Sequence, residues 1–265
     1  MMATRPSLPA DEEPLDAATV DLLLSNLGTD MVLVGGQALA FWMDRYGIGS
    51  GGADISNDGD VLGNVGRAHD LAEALRARLI VPPATARTAI VGQIRLPTDE
   101  GKARNIDVLH KLFTNSGLRK SSEFTKRVIQ DAVEVEWRRG KFIRVMDPFD
   151  VLQSRVENAV GLIDDKGLHV LTQAVWAIAV ARAALLKLAS HPQVGDRLGK
   201  RIQSIYGLAT SQVGKRLLDE HDIEVLDAVD VDALRAIAPS HDRQLDNVQS
   251  ARLKRQGKRS KRSKP

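Results

Sequence analysis

Two short acidic stretches stand out for their chemistry. Asp58 and Asp60 lie in Ser56-Asn57-Asp58-Gly59-Asp60, and Asp107 sits between Ile106 and Val108. Residues two apart on a strand point the same way, so Asp58 and Asp60 are expected to project from one face. Carboxylates so close repel and desolvate poorly unless a cation lies between them. Hard oxygen donors suit Mg²⁺ or Mn²⁺, which keep waters and bind phosphates. Three such carboxylates can hold two ions, the arrangement that serves phosphoryl transfer. An Asp-x-Asp in a Gly-rich loop often only makes a turn, and Asp107 alone reads equally as a surface strand residue. The order and spacing of all three favour the metal site.

The surrounding pattern supplies elements to position them. Met31 to Val34 is a short apolar strand, ended by Gly35-Gly36, and Gln37 to Tyr46 reads as a helix. Glycines at such a turn let backbone N–H groups approach phosphate oxygens at the helix start. A helix is expected over Ala17 to Asn26, a strand ending over Asp60 to Leu62, and an amphipathic helix over Val65 to Leu79. Thr88 to Leu96 and Asn105 to Leu109 read as strands, with Asp107 on the face shared by Asp58 and Asp60. Ser121 to Ala132 reads as a helix capped by Ser121 or Ser122. Val133 to Trp137 and Lys141 to Val145 form a hairpin about Arg138-Arg139-Gly140. From Asp147-Pro148 onward helical periodicity dominates, with breaks near Gly161, Pro192 and Asp222. The expectation is an α/β (α+β) fold divided into a leader (1–16), an α/β domain (17–146), a helical domain (147–240) and a basic tail (241–265).

Composition sets the bounds. The chain has 265 residues, 43% of them apolar, and no cysteine, which excludes disulfides and thiolate metal sites. The longest apolar stretch, Ala174 to Leu188, is interrupted by Arg182 and Lys187 and reads as a core helix rather than a membrane span. Residues 1–16 lack the basic start and apolar middle of a secretory signal and read as a disordered leader. A cytoplasmic protein with no membrane partner is the simplest expectation. The net charge of +3 hides an asymmetry. Arg252, Lys254, Arg255, Lys258, Arg259, Lys261, Arg262 and Lys264 lie in the last 15 residues, and removing those eight charges leaves the rest at −5. That end is expected to be disordered, either solvated or in contact with a polyanion such as RNA.

Other constellations carry less. The G-x-G-x-x-G spacing fails after Gly36, and Gly47 to Gly52 lacks the Gly-Lys-Ser/Thr ending of a phosphate loop. His69 and His110 read as surface or edge residues. Trp42 and Trp176 read as core. Trp137 reads as an exposed strand aromatic, with base stacking as the sharper alternative. Arg87, Arg95, Lys102 and Arg104 flank the Asp107 strand and are either a solvated face or a steering patch for a triphosphate or an RNA end.

These motifs together resemble the nucleotidyltransferase superfamily that includes polymerase beta-like enzymes, and most closely its AbiE-type toxin branch and related small bacterial members. The carrying stretches are Leu33-Val34-Gly35-Gly36-Gln37-Ala38-Leu39, Ser56 to Leu62, Asn105 to Leu109 and Val145 to Leu152. The resemblance covers about Met31 to Asn158. It implies a short mixed sheet flanked by helices, then an all-helical substrate-binding lobe. It also implies Gly35, Gly36, Gln37 and Ser56 at the nucleotide, with Asp58, Asp60 and Asp107 as metal ligands and catalytic residues. The metal would be Mg²⁺ or Mn²⁺. Asp107 would assist deprotonation of the acceptor. The chain departs from the family pattern at three places: Gln37 where serine is common, Gly59 between the aspartates, and Arg155 where a lysine is common. The implied activity moves an NMP from an NTP to a hydroxyl of a tRNA 3′ end, a protein or a small molecule, in the toxin branch with a protein antitoxin as partner. The alternatives are a catalytically degenerate binding module for nucleic acid or protein, and an aminoglycoside-type nucleotidyltransferase.

Overall fold

The computed structural model describes residues 9–51, 55–114, 118–191 and 196–262, with the side chains of 256–262 left aside. Residues 1–8 of the expected leader, Gly52 of the glycine loop, the break at Pro192 and Lys264 of the tail lie outside the described residues.

The chain opens with α1 (Ala17–Asn26), whose first turn is capped by Asp16 accepting from Thr19 N at 2.7 Å. Strand β1 (Val32–Val34) passes directly into α2 (Gly35–Arg45). Then come β2 (Gly59–Leu62), α3 (Val65–Ala74), β3 (Arg78–Ile80), β4 (Ile90–Pro97) and β5 (Ala103–Leu109). Helix α4 (Leu118–Asp131) leads to the hairpin β6 (Val133–Arg138) and β7 (Lys141–Val145). The remainder is helical: α5 (Pro148–Gly161), α6 (Ile163–Lys166), α7 (His169–Ala189), α8 (Arg197–Thr210), α9 (Gln212–His221), α10 (Val231–Ile237) and α11 (Asp242–Arg262).

Among the described residues the strands form one seven-stranded mixed sheet in the order β3-β4-β5-β2-β1-β7-β6. The pairs β2–β5 and β1–β7 are parallel, and the others are antiparallel. The α/β half followed by a helical region is therefore as expected. The change of character at Asp147 has a local cause. Its side chain accepts from Phe149 N at 2.9 Å, and Pro148 starts the helix with its φ already set.

One apolar cluster runs from the sheet into the helices. It joins Leu33, Val61, Ile106 and Ile143 to Leu152, Ala177, Leu185 and Leu226. Helix α7 is long and apolar enough to cross a membrane by composition. It is nevertheless a central core helix, with Ala174, Ala177, Val180, Ala181 and Leu185 fully buried. Trp42 is buried too, and its indole N–H donates to Met146 O at 2.8 Å, which fastens α2 to the start of the helical half.

Four expectations are corrected. The helix from Val65 ends at Ala74 rather than Leu79, because Arg76 takes a left-handed backbone (φ 50°) and Leu79 joins β3 opposite Ile94. Helix α4 starts at Leu118, so Ser121 is not a cap; it is fully buried within the helix and accepts from Thr114 N at 2.9 Å. Residues 9–16 form an ordered strap, not a disordered leader. Glu13 N donates to Ala103 O and Ala103 N donates to Asp11 O, each at 2.9 Å, which fastens the segment to the end of β5. The basic end is helical through α11, whose Leu245 and Val248 are fully buried. Two of its cations serve the fold. Arg252 donates to Val229 O at 2.9 Å and Arg255 to Ala209 O at 2.9 Å, satisfying carbonyls at the ends of neighbouring elements.

Candidate functional site

The register of the sheet builds the site. Across neighbouring strands Gln93 stands opposite Asp107, Asp107 opposite Asp60, and Asp60 opposite Val34. Residues level on adjacent strands share a face, so Gln93, Asp107 and Asp60 form one polar row across β4, β5 and β2. Asp58 lies in the bend just before β2, not within a strand. It reaches the same cleft because the loop is held from beneath: Ser56 Oγ donates to Asp58, at 3.0 Å to both its carbonyl and its Oδ1, and Gln37 Nε2 donates to Asp58 O at 3.4 Å. Carboxylate oxygens of Asp58, Asp60 and Asp107 then lie within 4.8 Å of one another.

The two glycines act chiefly through their missing side chains. Gly35 has a left-handed backbone (φ 67°), and a Cβ there would lie 2.1 Å from Asp60 Oδ2. At Gly36 a Cβ would lie 2.5 Å from Ser56 Oγ. Gly36 lines the cleft together with Ser56, Asn57, Asp58, Asp60 and Asp107. Gly35 sits beneath Asp60, and Gln37 braces the loop.

Electrostatics follow from this crowding. Burial raises the Asp60 carboxyl to about 7, reinforced by the charges of Asp58 and Asp107 and opposed by Arg155 and Lys166. Burial also raises Asp107, while the hydrogen bond from Gln93 Nε2 to its Oδ1 at 3.0 Å works the other way. Such mutual destabilisation is what a bound cation relieves. The donor set is all carboxylate oxygen, the ligand type of hard divalent ions, and its oxygens lie close enough that one ion would reach all three residues. The residues therefore fit Mg²⁺ or Mn²⁺.

The opposite wall belongs to the helical half. Arg155, on α5, is buried; its Nη1 donates to Gln173 Oε1 at 3.2 Å, and Gln173 Nε2 donates to Ile55 O at 2.7 Å. That relay ties α5 and α7 to the loop carrying Asp58. Burial lowers the pKa of Arg155, and Asp60 and Asp58 offset this. Asn158, Lys166 and His169 complete this wall, and the cavity measures about 270 Å³, near the lower end for small-molecule sites.

Several of these residues escaped the sequence reading. Gln93 is a polar residue in an apolar strand, and Asn105 lies two before Asp107 on the same face; both alternations were readable. Glu12, Lys166, His169 and Gln173 had no such signal. Other expectations resolve as packing. Trp137 lies 6.2 Å from Phe41, ring to ring, against the core. His69 and His110 are exposed. The cations flanking β5 hold the strap: Arg95 pairs with Asp11 at 2.8 Å, Lys102 with Glu13 at 3.6 Å, and Arg104 with Asp16 at 3.1 Å. Of the four, Arg87 alone is left exposed without such a pairing among the described residues. No protein-family model matches the chain, and no curated protein matches it.

Proposed function

We propose that the protein is a metal-dependent nucleotidyltransferase of the polymerase beta-like kind. It would move an NMP from an NTP to an acceptor hydroxyl and release pyrophosphate. The observation that carries this reading is the convergence of Asp58, Asp60 and Asp107 within 4.8 Å beside the start of α2.

When bound, Mg²⁺ or Mn²⁺ would supply positive charge that acidifies the acceptor hydroxyl and steadies the leaving pyrophosphate. The chain's own residues do the rest. Asp58 and Asp60 would hold the ion, and Asp107, oriented by Gln93, would complete the set and take the proton from the acceptor hydroxyl as its oxygen attacks the α-phosphorus. The bond from that phosphorus to the pyrophosphate oxygen breaks in line. Gly36 and Ser56 offer close backbone and hydroxyl approach to phosphate oxygens. A cytoplasmic setting, where NTPs are held, accords with this reading.

The test is label transfer from α-labelled NTP with Mg²⁺ and a panel of hydroxyl acceptors, alongside calorimetric binding of metal and NTP. The doubly substituted Asp58→Asn, Asp60→Asn protein should drop to background in both assays. Equal transfer by it and by wild type would sink the proposal.

A further inference from the structure

The strap behaves as a short strand added to the sheet. Glu12 is bridged in parallel register to Ala103 at the start of β5. Ala103, Asn105 and Asp107 alternate onto one face of β5, and a residue level with Ala103 shares that face. Glu12 thus lines the cleft together with Asn105, Asp107 and Asp58. Further along, Leu15 N donates to Asn57 O at 2.9 Å, so the strap also grips the loop that carries Asp58.

Two acceptors on this side are unspent. Asn105 is only 7% exposed, and its Oδ1 has no hydrogen-bond partner among the described residues. A buried amide oxygen in that condition calls for a donor. The other acids of the strap are matched: Asp11 by Arg95 at 2.8 Å, Glu13 by Arg104 at 3.5 Å, and Asp16 by Arg104 at 3.1 Å. Glu12 has no ion pair among the described residues. Its charge reaches Asp107, whose carboxyl is raised first by burial and then by Asp58 and Glu12.

Mg²⁺ prefers an octahedron of oxygens and keeps several waters, for which three carboxylates leave room. Waters on a divalent ion are polarised donors, the complement of spare acceptors. Glu12 stands outside the set of carboxylates that lie within 4.8 Å of one another, which suits contact through water rather than direct ligation.

We infer that Glu12 and Asn105 accept hydrogen bonds from waters on the ion held by Asp58, Asp60 and Asp107, and that the ion thereby locks the N-terminal strap over the cleft. This rests on the divalent-ion reading of the cleft, not on the reaction proposed for it. Both are positioning residues. The strap's other anchors are a few backbone hydrogen bonds and part-exposed ion pairs, and salt weakens the latter. The two effects are linked. If closure of the strap strengthens ion binding by some factor, the bound ion opposes opening of the strap by the same factor.

Mn²⁺ titration followed by electron paramagnetic resonance measures the first effect. Amide hydrogen exchange of residues 9–16, with and without saturating Mn²⁺, measures the second. Glu12→Ala should weaken Mn²⁺ binding by about tenfold or more, the range for a lost outer-shell partner. In wild type the amides of Glu13 and Leu15 should exchange more slowly by the same factor once the ion is bound, and Glu12→Ala should lose that slowing. Asn105→Ala should weaken Mn²⁺ binding likewise, with strap exchange in the metal-free protein unchanged. Glu100→Gln, an exposed acid in the turn between β4 and β5, should match wild type in both measurements. Equal Mn²⁺ affinity in wild type and Glu12→Ala would overturn the inference, as would wild-type strap exchange indifferent to the ion; either result leaves the carboxylate site standing. Equal weakening in Glu12→Ala and Glu100→Gln would also overturn it, because bulk charge would then be enough. A wild type that binds no Mn²⁺ would remove it together with the function proposed above.

Discussion

Asp60 occupies the space that a side chain at residue 35 would fill, with its Oδ2 2.1 Å from where a Cβ of residue 35 would lie. The strand-to-helix turn and the central carboxylate are thus one steric unit. The glycine is required by the aspartate as well as by its own left-handed backbone.

Gly35→Ala should therefore fail twice. The left-handed backbone costs about 1–2 kcal/mol for a residue with a Cβ, and the displaced Asp60 can no longer meet Asp58 and Asp107. Urea denaturation should show the stability loss, and Mn²⁺ titration should show loss of tight binding. An alanine variant binding Mn²⁺ like wild type would break the link between turn and carboxylate.

Metal affinity should rise steeply with pH. With Asp60 at about 7, the competent carboxylate one unit below that value is about tenfold scarcer than when fully ionised. Binding at slightly acid pH should release a proton, measurable by calorimetry in buffers of different ionisation enthalpy. The stability of the metal-free protein runs the other way. A carboxyl raised from 3.8 contributes fully below that value, and the contribution is lost as the pH rises through about 7. Asp60→Asn should accordingly melt higher than metal-free wild type above neutrality while binding no metal.

Gln93→Leu keeps the strand and removes the donor 3.0 Å from Asp107 Oδ1. Loss of such an orienting partner weakens metal binding by about 10–100-fold. The thermal midpoint should change little, because Gln93 is only half-buried. Unchanged Mn²⁺ affinity would leave Asp107 without need of orientation.

A second buried carboxyl gives a pH signature away from the cleft. Burial lifts Asp147 to about 6 despite Arg201 at 3.0 Å. Its contribution to stability is complete below 3.8 and is lost as the pH rises through 6. Asp147→Asn retains an acceptor for Phe149 N and should flatten the fall in stability between those values. Asp147→Ala should lose the cap as well, about 1 kcal/mol. Thermal melts across that range compare the three proteins.

Much of this was legible in the residues themselves. Apolar runs and glycine punctuation located β1, α2 and β5, and Asp147-Pro148 marked where the sheet half gives way to helices, because caps and strand alternation are local properties. The misplacements were tertiary. Leu79 fits a helical stripe equally well, and only pairing with Ile94 makes it a strand residue. The acidic, proline-rich start reads as solvated chain until Arg95, Lys102 and Arg104 are brought beside it. The basic end reads as free charge until Leu245 and Val248 find a core to enter. The aspartates followed the same division. Their types and spacing raised the expectation of a divalent-ion site, since closely set carboxylates need a counter-charge. Their register across β2 and β5 depended on the parallel pairing of strands more than 40 residues apart. The rest of the cleft lining, Arg155 from α5 and Glu12 from the strap, exists only because long-range packing closes segments that no sequence period connects.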